Sequence, residues 1–221
     1  MTRLLITLCA LVLATALPRA ASADEFEVSF YTGWQTAPHS NVSGFDPGGA
    51  GVFDFTAAWE GRSFEAPPYW GARGIWWRNS GVYGLALDSV HNKVYASDQD
   101  LREQGFESLE LTDGLNILTV NLMRRFPSEE RRWTPYVGAG LGVSVPHVDV
   151  ESAGGRTFGF QFTGPAVAWV AGVSYPFAER WSVYGEYKGT YSQNSADLDN
   201  GGSLDTNIVT NALNVGVSFN F

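Results

Sequence analysis

Cysteine is almost missing from this chain: Cys9 is the single one, and it lies in an apolar N-terminal run. A disulfide framework and thiol chemistry are therefore excluded from everything that follows that run. Basic residues are scarce. Lys and Arg number 14 against 23 Asp and Glu, a formal charge of −9, and loss of Arg3 and Arg19 with the leader takes it to −11. A phosphate-binding surface needs a basic patch, so nucleic acid is excluded as a partner. Long hydrophobic runs are also missing beyond the N-terminus, which leaves no transmembrane helix. Histidine occurs at three positions only, His39, His91 and His147.

The N-terminus itself reads MTRLLITLCALVLATALPRAASADEFE. A short positive start, an apolar stretch over 4–17 and the small-x-small site Ala21-Ser22-Ala23 predict a cleaved secretory signal over 1–23, with a single unit over 24–221. What remains is rich in aromatics (14%) and glycine (25 residues), with a mean hydropathy of only −0.10. A β-barrel reconciles these values with a membrane, because lipid-facing apolar and lumen-facing polar residues alternate and cancel in the average.

The alternation is explicit. In NALNVGVSFNF, Leu213, Val215, Val217, Phe219 and Phe221 share one parity, and small or polar residues share the other. The same period of two runs through 25–35, 69–79, 81–95, 115–126, 134–148, 166–177 and 181–193, which makes eight strands. Short turns at 79–81, 127–132 and 178–180 alternate with long connections near 36–68, 96–114, 151–164 and 194–206. The expected fold is all-β: an eight-stranded antiparallel up-and-down transmembrane barrel, short turns in the periplasm, four long loops outside. A ninth alternating stretch, 52–61, would break the even count and is expected above the membrane. Tyr69, Trp70, Trp76 and Trp77 are expected in the aromatic girdles. Glu27, Arg73, Asp88, Glu186 and Lys188 have inward parity and are expected to pair within the lumen.

Candidate chemistry gathers at the outer rim. At the strand rise of about 3.3 Å and a tilt near 40°, His39, His91 and His147 all reach the outer headgroup level. With Glu60 they are the candidate acid/base residues. His39, Asp46, His91 and His147 are the candidate metal ligands, although their spacing matches no metal motif. Arg62, Arg73 and Arg156, with Lys93, carry charge that suits lipid phosphates or carboxylates, and Trp59 is one of several loop aromatics expected to contact sugar or lipid. Ser89-Val90-His91 places a hydroxyl and an imidazole on one outward face, the start of a nucleophile–base pair. No G-x-G-x-x-G follows a strand, so no flavin or nicotinamide site is expected.

Several stretches together resemble one family: YTGWQTAPHSNVSG (31–44), WEGRSFEAPPYWGAR (59–73), TDGLNILTVN (112–121), RRWTPYVGAGLGVSVPHV (131–148), TGPAVAWVAGVSYPFAERWSVYGEYKGTYS (163–192) and the closing NALNVGVSFNF. They are similar to the outer-membrane lipid A oxidases of alphaproteobacteria, within the wider opacity-protein-like barrels. The resemblance implies an enzyme of the Gram-negative outer membrane that oxidises the proximal glucosamine of lipid A to 2-aminogluconate, with dioxygen as oxidant and hydrogen peroxide as product. It implies lipopolysaccharide in the outer leaflet as partner; separately, Phe221 with apolar residues at alternate positions before it resembles the end signal of bacterial outer-membrane barrels, which implies the barrel-assembly machinery as its reader. A redox reaction without an organic cofactor motif points to a divalent or redox metal. Two rival readings stand beside it. One is a non-enzymatic surface barrel. The other is a lipid A esterase, whose H-x-S order is reversed here in Ser89-Val90-His91.

Overall fold

The computed structural model describes residues 24–78 and 81–221, without the side chains of 112 and 113. The expected leader and most of the expected turn at 79–81 lie outside the described residues.

Among the described residues thirteen strands and one helix follow in chain order: β1 (Glu25–Thr36), β2 (Ser40–Asp46), β3 (Gly51–Ala57), β4 (Trp59–Glu60), β5 (Trp70–Arg78), β6 (Tyr83–Ala96), α1 (Asp98–Gln104), β7 (Phe106–Arg125), β8 (Thr134–Ser144), β9 (His147–Ser152), β10 (Gly155–Phe160), β11 (Gly164–Pro176), β12 (Trp181–Asp197) and β13 (Ser203–Asn220). Eight of them close a ring in the order β1-β5-β6-β7-β8-β11-β12-β13, and β13 pairs back onto β1. All these pairings are antiparallel. The eight expected strands are these eight.

The register fixes the geometry. From Phe26 the paired residue is Trp76, then Leu85, Leu122, Ala139, Trp169, Gly189 and Asn211, and Asn211 pairs with Thr36. One circuit thus returns ten residues further along β1, a stagger that tilts eight strands by about 40°. On this lattice Phe26, Trp76, Tyr83, Tyr175, Trp181 and Phe219 fall at one level near the short turns. Trp34, Trp70 and Tyr191 fall roughly 20 Å above, so the two sets bracket an apolar belt. Between them Phe30, Leu87, Val120, Leu141 and Val215 are exposed outward, which suits contact with hydrocarbon.

The strands do not stop at the belt, and their alternation reverses phase as they leave it. In β13, Leu213, Val215 and Val217 face out while Asn214 and Ser218 are buried. Further along the same strand Asp205 and Asn207 face out, and Leu204 and Ile208 are buried. Lipid outside calls for polar groups inside; water outside calls for the opposite. The outer tier therefore has an apolar core of the soluble kind, including Val42, Phe53, Trp59, Val94, Phe106, Leu111, Val150, Leu204 and Ile208. Each such side chain contributes about 1.5–3 kcal/mol on burial.

The four long connections stand where expected, but they are built of ordered strands and a helix. Residues 194–206 are mostly the continued β12–β13 ladder, paired to Asp197↔Ser203 with a turn over 198–202. The 36–68 connection holds the β2–β3 hairpin, and β2 also pairs with β13. The 151–164 connection is the β9–β10 hairpin with β9 paired to the outer end of β7. In the 96–114 connection helix α1 spans Asp98–Gln104, capped by the Ser97 side chain and by Gly105 at φ 81°, and residues from Phe106 on are the outer extension of β7. Two of the expected girdle residues also move. Trp76 and Trp77 are consecutive on a strand and must face opposite ways. Trp77 is inside, donating to Glu27 Oε2 at 2.9 Å, and Tyr69 is wholly buried against Tyr31.

Within the belt the lumen is closed. Arg73 donates to Asp88 and, with both terminal nitrogens, to Glu186 at 2.9 and 2.7 Å. Lys188 pairs with Asp88 and donates to Tyr31 Oη at 2.8 Å. Tyr136 Oη adds a bond to Glu186 at 2.7 Å. Two cations and two anions cancel, which lets four charged side chains be 4% exposed or less. Glycines make room for the tyrosines around them: a Cβ on Gly216 or Gly71 would overlap the rings of Tyr184 or Tyr31. On the short-turn side of this plug lies a cavity of about 270 Å³ lined by Glu27, Trp77, Tyr136 and Tyr184.

Candidate functional site at the outer rim of β5, β6 and β7

The first connection leaves β1 at its outer end, forms the β2–β3 hairpin and comes back through β4, which pairs with β6 at Trp59↔Ala96 and Glu60↔Tyr95. From there residues 61–69 cross the rim as a strap before β5 descends. The strap is tied at several points. Gln35 N–H donates to Ser63 Oγ at 2.8 Å, and Ser63 Oγ–H donates to Gln35 O at 3.1 Å. Tyr69 N–H reaches Ser63 O at 2.8 Å, and Thr32 Oγ1 reaches Tyr69 O at 2.7 Å.

Lys93 is the central tie. It sits where the β6–β7 register slips between Asn92 and Val94. Its side chain is fully buried and Nζ donates to Glu65 O at 3.0 Å and Pro67 O at 2.7 Å. The expectation that Lys93 meets a substrate phosphate is therefore corrected: the ammonium is occupied inside the strap.

Below the strap Trp70 and His91 pair across β5 and β6 and their rings stack at 6.1 Å and 21°. His91 Nδ1 donates to Asn116 Oδ1 at 3.1 Å, and Asn116 Nδ2 donates to Val145 O at 3.4 Å. That bond sets the neutral ring's proton on Nδ1 and its basic lone pair on Nε2. Trp70 is 46% exposed whereas His91 is 8% exposed, so the indole covers the imidazole on the lipid side. Ser89 stands exposed one pleat below on the same face, as its parity predicts.

At the start of the strap Arg62 donates to Glu60 Oε2 at 2.9 Å and lies 4.6 Å over the Tyr95 ring. Burial lowers the Arg62 pKa, but Glu60 and Glu65 outweigh it and hold the guanidinium charge firmly. Arg62 has φ 25°, the positive value of a non-glycine residue among the described residues. Such backbone costs about 1–3 kcal/mol and persists where surrounding contacts over-determine it. Phe64 projects from the strap at 75% exposure.

The other expected site residues lie elsewhere. His39 is exposed in the link between β1 and β2. His147 is held edge-on between Phe158 and Phe160 at 4.3 and 4.8 Å. Asp46 joins three hairpins: Oδ2 accepts from Ser152 Oγ at 2.6 Å and Ala50 N–H at 2.8 Å, and Oδ1 accepts from Asn200 Nδ2 at 2.6 Å. Burial raises its pKa; the bonds from Ser152, Ala50 and Asn200 more than reverse this, and the net position is below the ordinary 3.8. Trp59 is 6% exposed and donates from Nε1 to Ser40 Oγ at 2.7 Å, so it is core and offers no face to a ligand. Arg156 forks onto Asp149 at 2.9 and 2.7 Å.

The expected metal set His39, Asp46, His91 and His147 is accordingly corrected. Among the described residues no three His, Cys, Asp or Glu side chains converge as ligands, and the Asp46 oxygens already accept hydrogen bonds. Gln35, Ser63, Asn116 and Tyr95 complete the rim and were not foreseen. Parity marks which face each occupies, but only the inter-strand register brings them together.

Comparison with known proteins agrees with this architecture. The model of the outer membrane protein β-barrel domain family matches residues 7–221. Among solved structures, the outer membrane protein AlkL, determined by solid-state NMR in DMPC bilayers, aligns with a TM-score of 0.53 at 16% identity. That alignment covers 93% of this chain and 94% of AlkL. Neisserial surface protein A aligns with a TM-score of 0.49 at 16% identity, covering 90% of this chain and 97% of its own. No curated protein sequence matches. The chain belongs to the outer membrane protein β-barrel domain family and is an eight-stranded barrel of the Gram-negative outer membrane.

Proposed function

We propose that this barrel oxidises the proximal glucosamine of lipid A to 2-aminogluconate at the outer rim of β5, β6 and β7. One observation carries the reading. Three separate stretches that resemble the lipid A oxidases, 59–73, 112–121 and 131–148, meet at one point through Trp70, Asn116 and Val145, with His91 between them. That point lies at the outer headgroup level on the lattice described above. An aromatic face beside an imidazole suits a sugar ring, and the Arg62–Glu60 pair above it suits the anionic and hydroxyl groups of a phosphorylated disaccharide.

In the reaction the anomeric carbon of the free hemiacetal loses its hydrogen and two electrons, and its hydroxyl loses a proton. Dioxygen takes both electrons and both protons and leaves as hydrogen peroxide, and water opens the resulting lactone to the acid. Glu60, whose side chain is 47% exposed, is the open proton acceptor. His91 is the shielded one, reached when the Trp70 ring turns aside. The rim residues do not fit a metal centre, so no step is routed through one.

The test is mass spectrometry of lipid A from cells with and without the gene. Gain of one oxygen atom on the proximal sugar is expected. Loss of an acyl chain would instead indicate an esterase built on Ser89 and His91, and an unchanged spectrum would indicate a non-enzymatic surface barrel.

A further inference from the structure

The phase reversal of the outer tier has exceptions: Phe45, Val52 and Phe64 are exposed at 46, 83 and 75%, and the longest aromatic row lies on and just after β10. Residues facing out above the belt are polar on β12 and β13, but β10 and the segment after it present Phe158, Phe160 and Phe162 at 57, 64 and 70% exposure. The alternation shifts by one residue through 161–163, between β10 and β11, so these even-numbered rings stand above the odd-numbered outward residues Val167, Trp169 and Val173 of β11. The row does not lie in hydrocarbon. Phe162, Phe160 and Phe158 stand five, seven and nine residues outward of Val167, which is about 12–22 Å along the membrane normal at a 40° tilt.

That height is the saccharide layer of an outer leaflet. The polar groups beside the row are planar and paired. Arg156 lies 4.6 Å over the Phe158 ring and forks onto Asp149, with Glu151 at 3.4 Å. Two carboxylates against one guanidinium leave the patch net negative. This disfavours a phosphate as the occupant, and it sets the patch against a second copy of itself. Exposed aromatic faces rimmed by planar hydrogen-bonding groups without net positive charge suit neutral sugar rings: the C–H face stacks on the phenyl rings and the hydroxyls reach the rim.

We infer that the β9–β10 hairpin is a saccharide-binding surface that holds the sugar portion of neighbouring outer-leaflet glycolipid. The site is separate from the rim of β5, β6 and β7, and it stands whether or not that rim is an oxidase. It orients glycolipid around one side of the barrel and anchors the hairpin in the glycan layer.

The test uses the full barrel in phospholipid nanodiscs and a neutral, phosphate-free hexose oligosaccharide from the outer core of lipopolysaccharide as probe. Saturation-transfer NMR on the sugar protons reads contact with the rings. The wild type is expected to transfer saturation to the probe, and Phe158→Ser/Phe160→Ser is expected to bind it roughly tenfold more weakly. Arg156→Lys, which loses the fork but keeps the charge, is expected to fall between them. Unchanged heat-modifiable gel mobility in both variants reports an intact barrel. Equal transfer in wild type and the double variant would overturn the inference. So would a concentration-dependent dimer that the double variant abolishes, since the row would then be covered by a second copy.

Discussion

Replacing Arg73 by leucine tests the closed lumen. Arg73 is 3% exposed, and its guanidinium supplies one bond to Asp88 and two to Glu186. Asp88 keeps Lys188 and Tyr31 after the change, so it stays neutralised. Glu186 keeps only Tyr136 and Asn214, two neutral donors, at 2.7 and 3.2 Å. The plug then carries one uncompensated buried charge. Breaking a buried pair in this way costs about 3–5 kcal/mol, a shift of roughly a hundredfold or more in the unfolding equilibrium. The assay is reversible urea unfolding in lipid vesicles, followed by tryptophan fluorescence. The double variant Arg73→Leu/Glu186→Leu removes both members and leaves the Asp88–Lys188 pair, and it should recover at least half of the loss. A single-variant cost below about 1 kcal/mol would mean that water reaches Glu186 freely. The reasoning about a desolvated plug would then be wrong.

Other outcomes follow from the outer tier. Asp46 has a folded pKa below its ordinary value, so its contribution is fully present above about pH 4 and is lost as pH falls through the folded value. Protease nicking of the β2–β3, β9–β10 and β12–β13 tips should rise together below that point, and Asp46→Asn should raise it at neutral pH. Lys93→Met frees the carbonyls of Glu65 and Pro67, and amide exchange should accelerate across 61–69 while the β12–β13 ladder stays protected. Phe221 is 72% exposed and packs edge-on against Phe219 at 4.9 Å. Its deletion should cost little in the stability of barrel already folded but lower the yield of assembled barrel in cells, read by surface labelling; equal yield would remove the proposal that assembly machinery reads this residue.

The ring was legible because each membrane strand obeys one rule over ten residues or so, with few departures such as Thr32 and Ser89 on the outward face. Leu213, Val215 and Val217 state it outright. The outer tier was less legible for a physical reason. Ser203–Ile208 also alternates, but in opposite phase, and a pattern search tuned to outward apolar residues takes Leu204 and Ile208 for the wrong face. The Trp76–Trp77 pair failed by the same logic, since composition suggests a girdle while parity allows only one of them outside. Site residues were half visible. His91 and Trp70 could each be put at the outer rim, but their stacking depends on the β5–β6 register, which no local pattern carries. Lys93, Trp59 and Asp46 have side-chain chemistry that suits a ligand, but burial makes each a support.

The most direct measurement of the two-tier interior is a cysteine scan along β13, helped by Cys9 being the chain's single cysteine and lying in the expected leader. Positions 205 and 207 should react with a water-soluble maleimide on intact cells. Probes at 213, 215 and 217 should be quenched by spin-labelled lipid. Positions 204 and 208 should do neither. Lipid quenching at 205 or 207, or aqueous labelling at 204 and 208 ahead of their neighbours, would contradict a reversal of phase at the outer rim.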